Sequence, residues 1–201
     1  MNTKERIFET ALTLFSEKGV NATSIRDITR ATGLTVAAFY NHFKSKDELL
    51  QAVYSHYTGL YVGLEKVNPD YDELLDRMDP KQLFAHLTRS YVQSVQNEKL
   101  MRLTKIIVME QYTNKTAGEI AFRDRRRLVA AMEELFAAMG KRGLIKSGDP
   151  RSTGALMGYV LLGLASDNIY YKFLAGKEPE EIIKNQLDVI NRYLEEIIIA
   201  D

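Results

Sequence analysis

The chain has 201 residues, 45% hydrophobic and 27% charged, and its 27 basic side chains balance its 27 acidic ones. That length buries a substantial core and the composition is that of an ordinary globular protein, while a zero net charge advertises no nucleic-acid partner. With no cysteine and only three histidines (His42, His56, His86) in no ligand spacing, disulfides and thiolate metal sites are excluded, a metal enzyme is disfavoured, and the reducing cytoplasm is the expected location.

Apolar residues recur at steps of three and four, with no sustained alternation, so the expected class is all-α. The predicted helices cover about 3–18, 24–31, 35–41, 45–66, 80–97, 99–113, 116–141, 149–175 and 179–199, with a short extra turn at 70–78. Pro69, Pro80, Pro150 and Pro179 fall where helices start, and Asp79 and Asp149 precede two of them as N-caps. Gly19, Gly33, Gly143, Gly148 and Gly176 read as helix stops.

The chain enters its first helix with no signal-peptide apolar run. That helix offers Ile7, Ala11, Leu14 and Phe15 to a core and stops at Gly19. The second opens on a capping box, Ser24 to Asp27, and offers Ile25, Ile28 and Ala31. Thr32-Gly33-Leu34 makes a tight turn, Thr35 caps a short third helix with Phe39 and Phe43 inward, and Ser45 to Glu48 caps a long fourth. Two helices on a glycine turn form either a plain αα corner or a DNA-binding helix-turn-helix. The outward residues favour DNA: Thr35, Val36, Ala37 and Ala38 are small enough to approach base edges, and Tyr40, His42, Lys44 and Lys46 can donate to phosphates.

In this segment the sequence resembles the TetR family of regulators. The resemblance rests on Ile7, Ala11, Leu14-Phe15, Gly19, Thr23, Ile25, Asp27-Ile28, Ala31, Gly33, Phe39-Tyr40-Asn41-His42-Phe43 and Ser45-Lys46-Asp47-Glu48-Leu49. It implies a three-helix DNA-binding domain at residues 1–47, a ligand-binding and dimerisation domain at 48–201, and an obligate homodimer. It also implies that Ser24, Tyr40, His42 and Lys46 grip phosphates while Arg26, Thr35, Val36, Ala37 and Asn41 face bases or the adjoining backbone. Where the family often has a polar or basic residue followed by glycine, this chain has Val36 and Ala37, leaving methyl contacts with thymine as the substitute for hydrogen-bond readout.

Beyond residue 50 the likeness is one of layout. Helix four carries Leu49, Leu50, Val53, Tyr57, Leu60 and Leu64 and is the expected lever between the two regions. Tyr57, Tyr61, Phe84, Tyr91, Tyr112, Phe122 and Tyr159 offer aromatic walls, as core or as pocket lining. Glu110 continues the Leu100/Leu103/Ile107 stripe; it is either an ion-pair partner of Arg123 or Arg125 or a ligand-contacting acid. The eighth helix is apolar nearly all round, and its Ala155–Ala165 run is too short to span a bilayer, which takes about 20 residues. With the ninth it reads as a dimer seam through Gly158, Leu161, Leu187, Ile190 and Leu194, or else as internal core.

The expected activity is that of a one-component regulator, a repressor, whose dimer holds palindromic double-stranded DNA and releases it when a small-molecule effector binds. No nucleophile elbow, phosphate loop or paired carboxylates point to an enzyme, and no cofactor or membrane association is expected. The alternative is a helical adaptor that has lost DNA binding.

Overall fold

The structure is a computed structural model describing residues 1–65, 69–146, 148–173, 175 and 180–199; the side chains at 61–65, 88, 91, 92, 95 and 180 lie outside that description. Gly176 and Pro179, expected at a helix boundary, also lie outside it. Among the described residues ten helices run in order: α1 (Thr3–Lys18), α2 (Ile25–Thr32), α3 (Val36–Tyr40), α4 (Lys46–Glu65), α5 (Tyr71–Arg77), α6 (Pro80–Gln96), α7 (Glu98–Glu110), α8 (Lys115–Lys141), α9 (Pro150–Phe173) and α10 (Glu180–Ile197). The extra turn at 70–78 is the full helix α5, capped by Asp70. Among the described residues the only β pairing is an isolated bridge, Ile145 to Ile198, and no helix is long and apolar enough to cross a membrane.

The caps explain the boundaries. Asp79 Oδ1 accepts from Gln82 N at 2.8 Å and Asp149 Oδ2 from Ser152 N at 3.1 Å, so the Asp-Pro pairs do start α6 and α9. Ser24 and Asp27 form the expected capping box. At the start of α4, Ser45 Oγ accepts from Glu48 N at 3.0 Å, but the Glu48 carboxylate reaches back to Lys44 N, not to Ser45 N.

The described chain forms two compact units, Met1–Val67 with Asn97–Ala121 and Asn68–Gln96 with Phe122–Asp201, the division falling inside α8. In the first, Ile7, Ala11, Leu12, Phe15, Ile28, Phe39, Phe43, Leu49 and Val53 share one core with Leu103, Ile106 and Ile107 of α7. Each of these side chains other than Ala11 contributes about 1.5–3 kcal/mol on withdrawal from water, before entropy is counted. One expectation fails: Ala31 is exposed, and α2 instead buries Thr29 and Thr32, whose hydroxyls donate to backbone carbonyls within the helix. That back-bonding is what lets two hydroxyls sit inside a core.

Helix α7 crosses α1 and α4. Charged contacts hold its edges: Lys99 Nζ pairs with Glu9 at 2.5 Å, and Arg102 meets Ser16 Oγ at 3.1 Å while also pairing with Glu98 at 2.8 Å.

In the second unit Leu83, Phe84, Leu135, Phe136, Met139, Met157, Ile190 and Leu194 form the core. Here α9 lies against α8 at backbone distance: a methyl at Gly158 would sit 2.8 Å from Val129 Cα, and one at Gly154 2.8 Å from Glu133 Cα. Arg142, at the end of α8, clamps α5 through Asp76 Oδ1 at 2.8 Å and the Asp72 carbonyl at 2.7 Å.

Candidate nucleic-acid interface

The turn between α2 and α3 closes by a pair of hydrogen bonds, Leu34 N to Thr29 O at 2.9 Å and Gly33 N to Arg30 O at 3.3 Å. Gly33 takes the left-handed conformation (φ 67°) that this closure needs and that a side chain resists. Thr35 Oγ1 then accepts from Ala38 N at 3.1 Å and starts α3. Five residues cannot hold a helix unaided, since nucleation is costly. What holds α3 is Phe39, fully buried and packed at 6.0 Å on Phe43.

Phe39 turned inward leaves the opposite face of α3 in solvent. Val36 is 38% and Tyr40 52% exposed, and Arg26, Thr35, Ala37 and Asn41 are exposed beside them. His42 is half-buried at the end of α3. The small apolar side chains Val36 and Ala37 and the donors Arg26, Thr35, Tyr40 and Asn41 are thus exposed on α3 and the segments flanking it.

Two of the expected phosphate donors are already engaged. The Ser24 hydroxyl lies 2.5 Å from Asp27 Oδ2, and that contact with the backbone bond beside it holds the Asp27 carboxyl below its ordinary range. The half-buried Lys46 donates from Nζ to Val20 O at 2.8 Å and Thr23 O at 3.0 Å, leaving one N–H for another acceptor. Sequence reasoning missed this bracing of the α1–α2 turn, because its partners are backbone carbonyls 23 and 26 residues away.

With this geometry in place, the chain can be set beside known proteins. Residues 7–53 match the profile of the bacterial regulatory proteins of the tetR family. This N-terminal segment belongs to the TetR family. Over 110 residues, 53% of this chain and 37% of the relative, it is 33% identical to the uncharacterized HTH-type transcriptional regulator YerO of Bacillus subtilis. Over 52 residues, 26% of this chain, it is 42% identical to the HTH-type transcriptional regulator AcrR of Shigella flexneri, spanning 24% of that relative. The matched segments therefore span well under half of these relatives' lengths. Among solved structures, NalD of Pseudomonas aeruginosa, the secondary repressor of a multidrug efflux pump, is 27% identical, with a TM-score of 0.59 over 98% of this chain and 96% of that one. A protein of Saccharomonospora viridis solved with choline shares the fold at 19% identity and a TM-score of 0.62, over 98% of each chain.

The expected effector residues fall in both units. Tyr57 and Glu110 are buried in the first unit; Phe84, packed on Phe136 at 5.9 Å, and Phe122, 63% exposed, belong to the second. The side chains of Tyr61 and Tyr91 lie outside the described residues. Tyr112 and Tyr159 are 82% and 64% exposed. Burial raises the Glu110 pKa and the nearby Lys46 ammonium opposes it. Arg123 Nε lies 3.6 Å from Asp124 Oδ1.

The expected dimer seam also needs correction. Gly158 is covered by Val129, and Ile190 and Leu194 are 8% and 5% exposed in the second unit's own core, so none of the three is available to a partner. Leu161 and Leu187 are half-buried. The apolar side chains that α9 and α10 turn outward are Leu156, Tyr159, Val160, Tyr170, Val189 and Tyr193. A symmetrical set of helix steps could not separate the two faces, since α9 is apolar on both.

Proposed function

We propose that the chain is a one-component transcription regulator that binds a palindromic operator as a homodimer, represses from it, and is released by a small-molecule effector. The observation that carries this is the exposed face of α3 (Val36, Ala37, Tyr40) with Arg26, Thr35 and Asn41 around it, held rigid by buried Phe39. A short helix anchored by one aromatic and otherwise exposed has little to do for the core, and it fits the width of a major groove. Arg26 and Asn41 reach base edges or adjoining backbone, Val36 and Ala37 meet thymine methyls, and Tyr40, His42, Ser24 and the remaining N–H of Lys46 meet phosphates. Repression and effector release are supported by likeness to NalD, described as a repressor, and to the choline-bound structure, both of which share the fold. The effector site belongs to the part beyond residue 47, with Tyr57, Tyr61, Phe84, Tyr91, Glu110 and Phe122 as its candidates.

Selection of bound duplexes from a random pool tests this. The expected result is an enriched inverted repeat with half-site centres about one helical turn apart or somewhat more, and affinity falling steeply with salt. Val36→Ala should shift base preference at one position of each half-site. Recovery of no inverted repeat would favour the adaptor reading.

A further inference from the structure

Helix α1 carries Lys4 and Phe8 one turn apart, and α4 carries Ala52, Ser55 and His56 at steps of three and four, so each set shares one face of its helix. These side chains line an open groove of about 810 Å³, with Phe43, just ahead of α4, and Lys99, near the start of α7, also in its wall. A volume of that order is that of a small-molecule site. The whole groove lies within the first unit, and none of the effector candidates named above lines it. Its apolar wall is largely aromatic: Phe43 is buried, Phe8 half-buried, and the His56 ring stands 5.2 Å from that of Phe8.

The charges around the groove are not equally committed. The Glu5 carboxylate accepts from Asn2 N at 2.9 Å in the cap of α1, and Glu9 pairs with Lys99 at 2.5 Å. Lys4 differs from both. Its exposed ammonium stands 5.3 Å from the centre of the Phe43 ring and has no carboxylate partner among the described residues. The Ser55 hydroxyl, exposed on α4, has no hydrogen-bond partner among them either.

We propose that this groove is a binding site for a carboxylate with a flat aromatic body, its acid group on Lys4 and its rings against Phe8, Phe43 and Ala52. An amine would have to displace Asn2 N or Lys99 to reach a carboxylate, whereas an anion meets Lys4 with nothing to displace. The ammonium then gains a charge-assisted hydrogen bond in addition to its ring, and Ser55 offers a neutral donor beside it. Rings held by the core accept another ring edge-on or offset, and a rigid ligand loses less freedom there than a flexible chain would. The site is separate from the effector residues proposed above and stands whether or not the chain binds DNA.

The test is calorimetric titration of the full-length protein with naphthoate, with naphthamide, naphthylmethylamine and octanoate as controls, alongside the ring resonances of His56. The variant His56→Gln identifies those resonances among the chain's three histidines. Naphthoate is expected to saturate a single site, raise the melting temperature and move the His56 resonances. Each control should bind about tenfold more weakly, the scale of one hydrogen bond to a charged group. Lys4→Gln should cost naphthoate about the same tenfold and leave naphthamide unchanged. Ser55→Trp, which fills the groove from an exposed position, should abolish binding of both while the unliganded melting temperature holds. Naphthoate binding that survives both substitutions, leaves His56 unmoved or fails to saturate would overturn the proposal. Equal affinity for the amine or for octanoate would overturn it as well.

Discussion

His56 shows how a single side chain reports on the packing around it. It lies on α4 with its ring 5.2 Å from that of Phe8, and both burial and the nearby Lys99 ammonium lower its pKa, Glu9 opposing them weakly. The sign follows from proton binding: the unfolded chain takes up this proton at a higher pH than the folded one. Stability from this group is therefore full above the ordinary histidine range and drains away as pH falls through it toward the depressed folded value. Urea unfolding should give a midpoint that drops between pH 7 and pH 5, and in His56→Gln the drop should be smaller. An identical pH slope in both proteins would show that His56 is not a source of acid sensitivity. The residue scale is also where the sequence was least legible. Lys46 and Ser24 look from the sequence like free donors, and only the fold reveals that a carboxylate and two carbonyls already claim them. Glu110 was recognisable as an anomaly on an apolar stripe, but the ammonium that opposes its raised pKa, Lys46, sits 64 positions earlier on α4, beyond the reach of any local pattern.

Helices were far more legible, because their signals are local. Capping boxes, Asp-Pro starts and glycine stops place nearly every boundary within a few residues, and α5 announces itself through the Asp70 cap. Which face of a helix is buried was legible only where the helix is amphipathic. Helix α9 is apolar on several sides, so Gly158 passed for a seam residue when it is in fact the contact with Val129. Gly158 and Gly163 on this helix make a matched comparison. A methyl at Gly163 meets nothing within 4 Å, so Gly163→Ala should stabilise by up to about 1 kcal/mol, the ordinary gain in helix propensity. Gly158→Ala carries the same propensity gain but drives a methyl into the α8 backbone, so it should lower stability by at least about 1–3 kcal/mol. Thermal melts of the two variants decide it, and equal effects would mean the α8–α9 contact is looser than described.

Viewed as a whole, the chain has an outward apolar surface on the second unit that no part of that unit covers. Leu156, Tyr159 and Val160 are 62%, 64% and 47% exposed on consecutive turns of α9, and Val189 and Tyr193 are 58% and 42% exposed on α10. Exposed apolar groups clustered in this way mark an interaction surface. The proposed homodimer would bury it, which moves the seam from Gly158, Ile190 and Leu194 to these outward residues. Tyr159→Glu should give monomers by light scattering with the unfolding of the isolated protomer intact, and should weaken operator binding because half-sites are then engaged singly. Leu194→Glu, in contrast, should unfold the second unit, and a soluble monomeric Leu194→Glu would argue against the core assigned here.

The close approach of α9 to α8 also bears on how this protein can change over generations. At positions 154 and 158 backbone lies where a side chain would begin, so drift there is closed to every residue but glycine unless both helices move together. Position 163 has no such restriction, and Leu156, Tyr159 and Val160 are constrained only by whatever covers them. Descendants of this sequence should therefore keep a pair of glycines one helical turn apart while the residues between them and beyond them turn over, so that a change of partner or effector can proceed on one side of α9 without reopening the packing on the other.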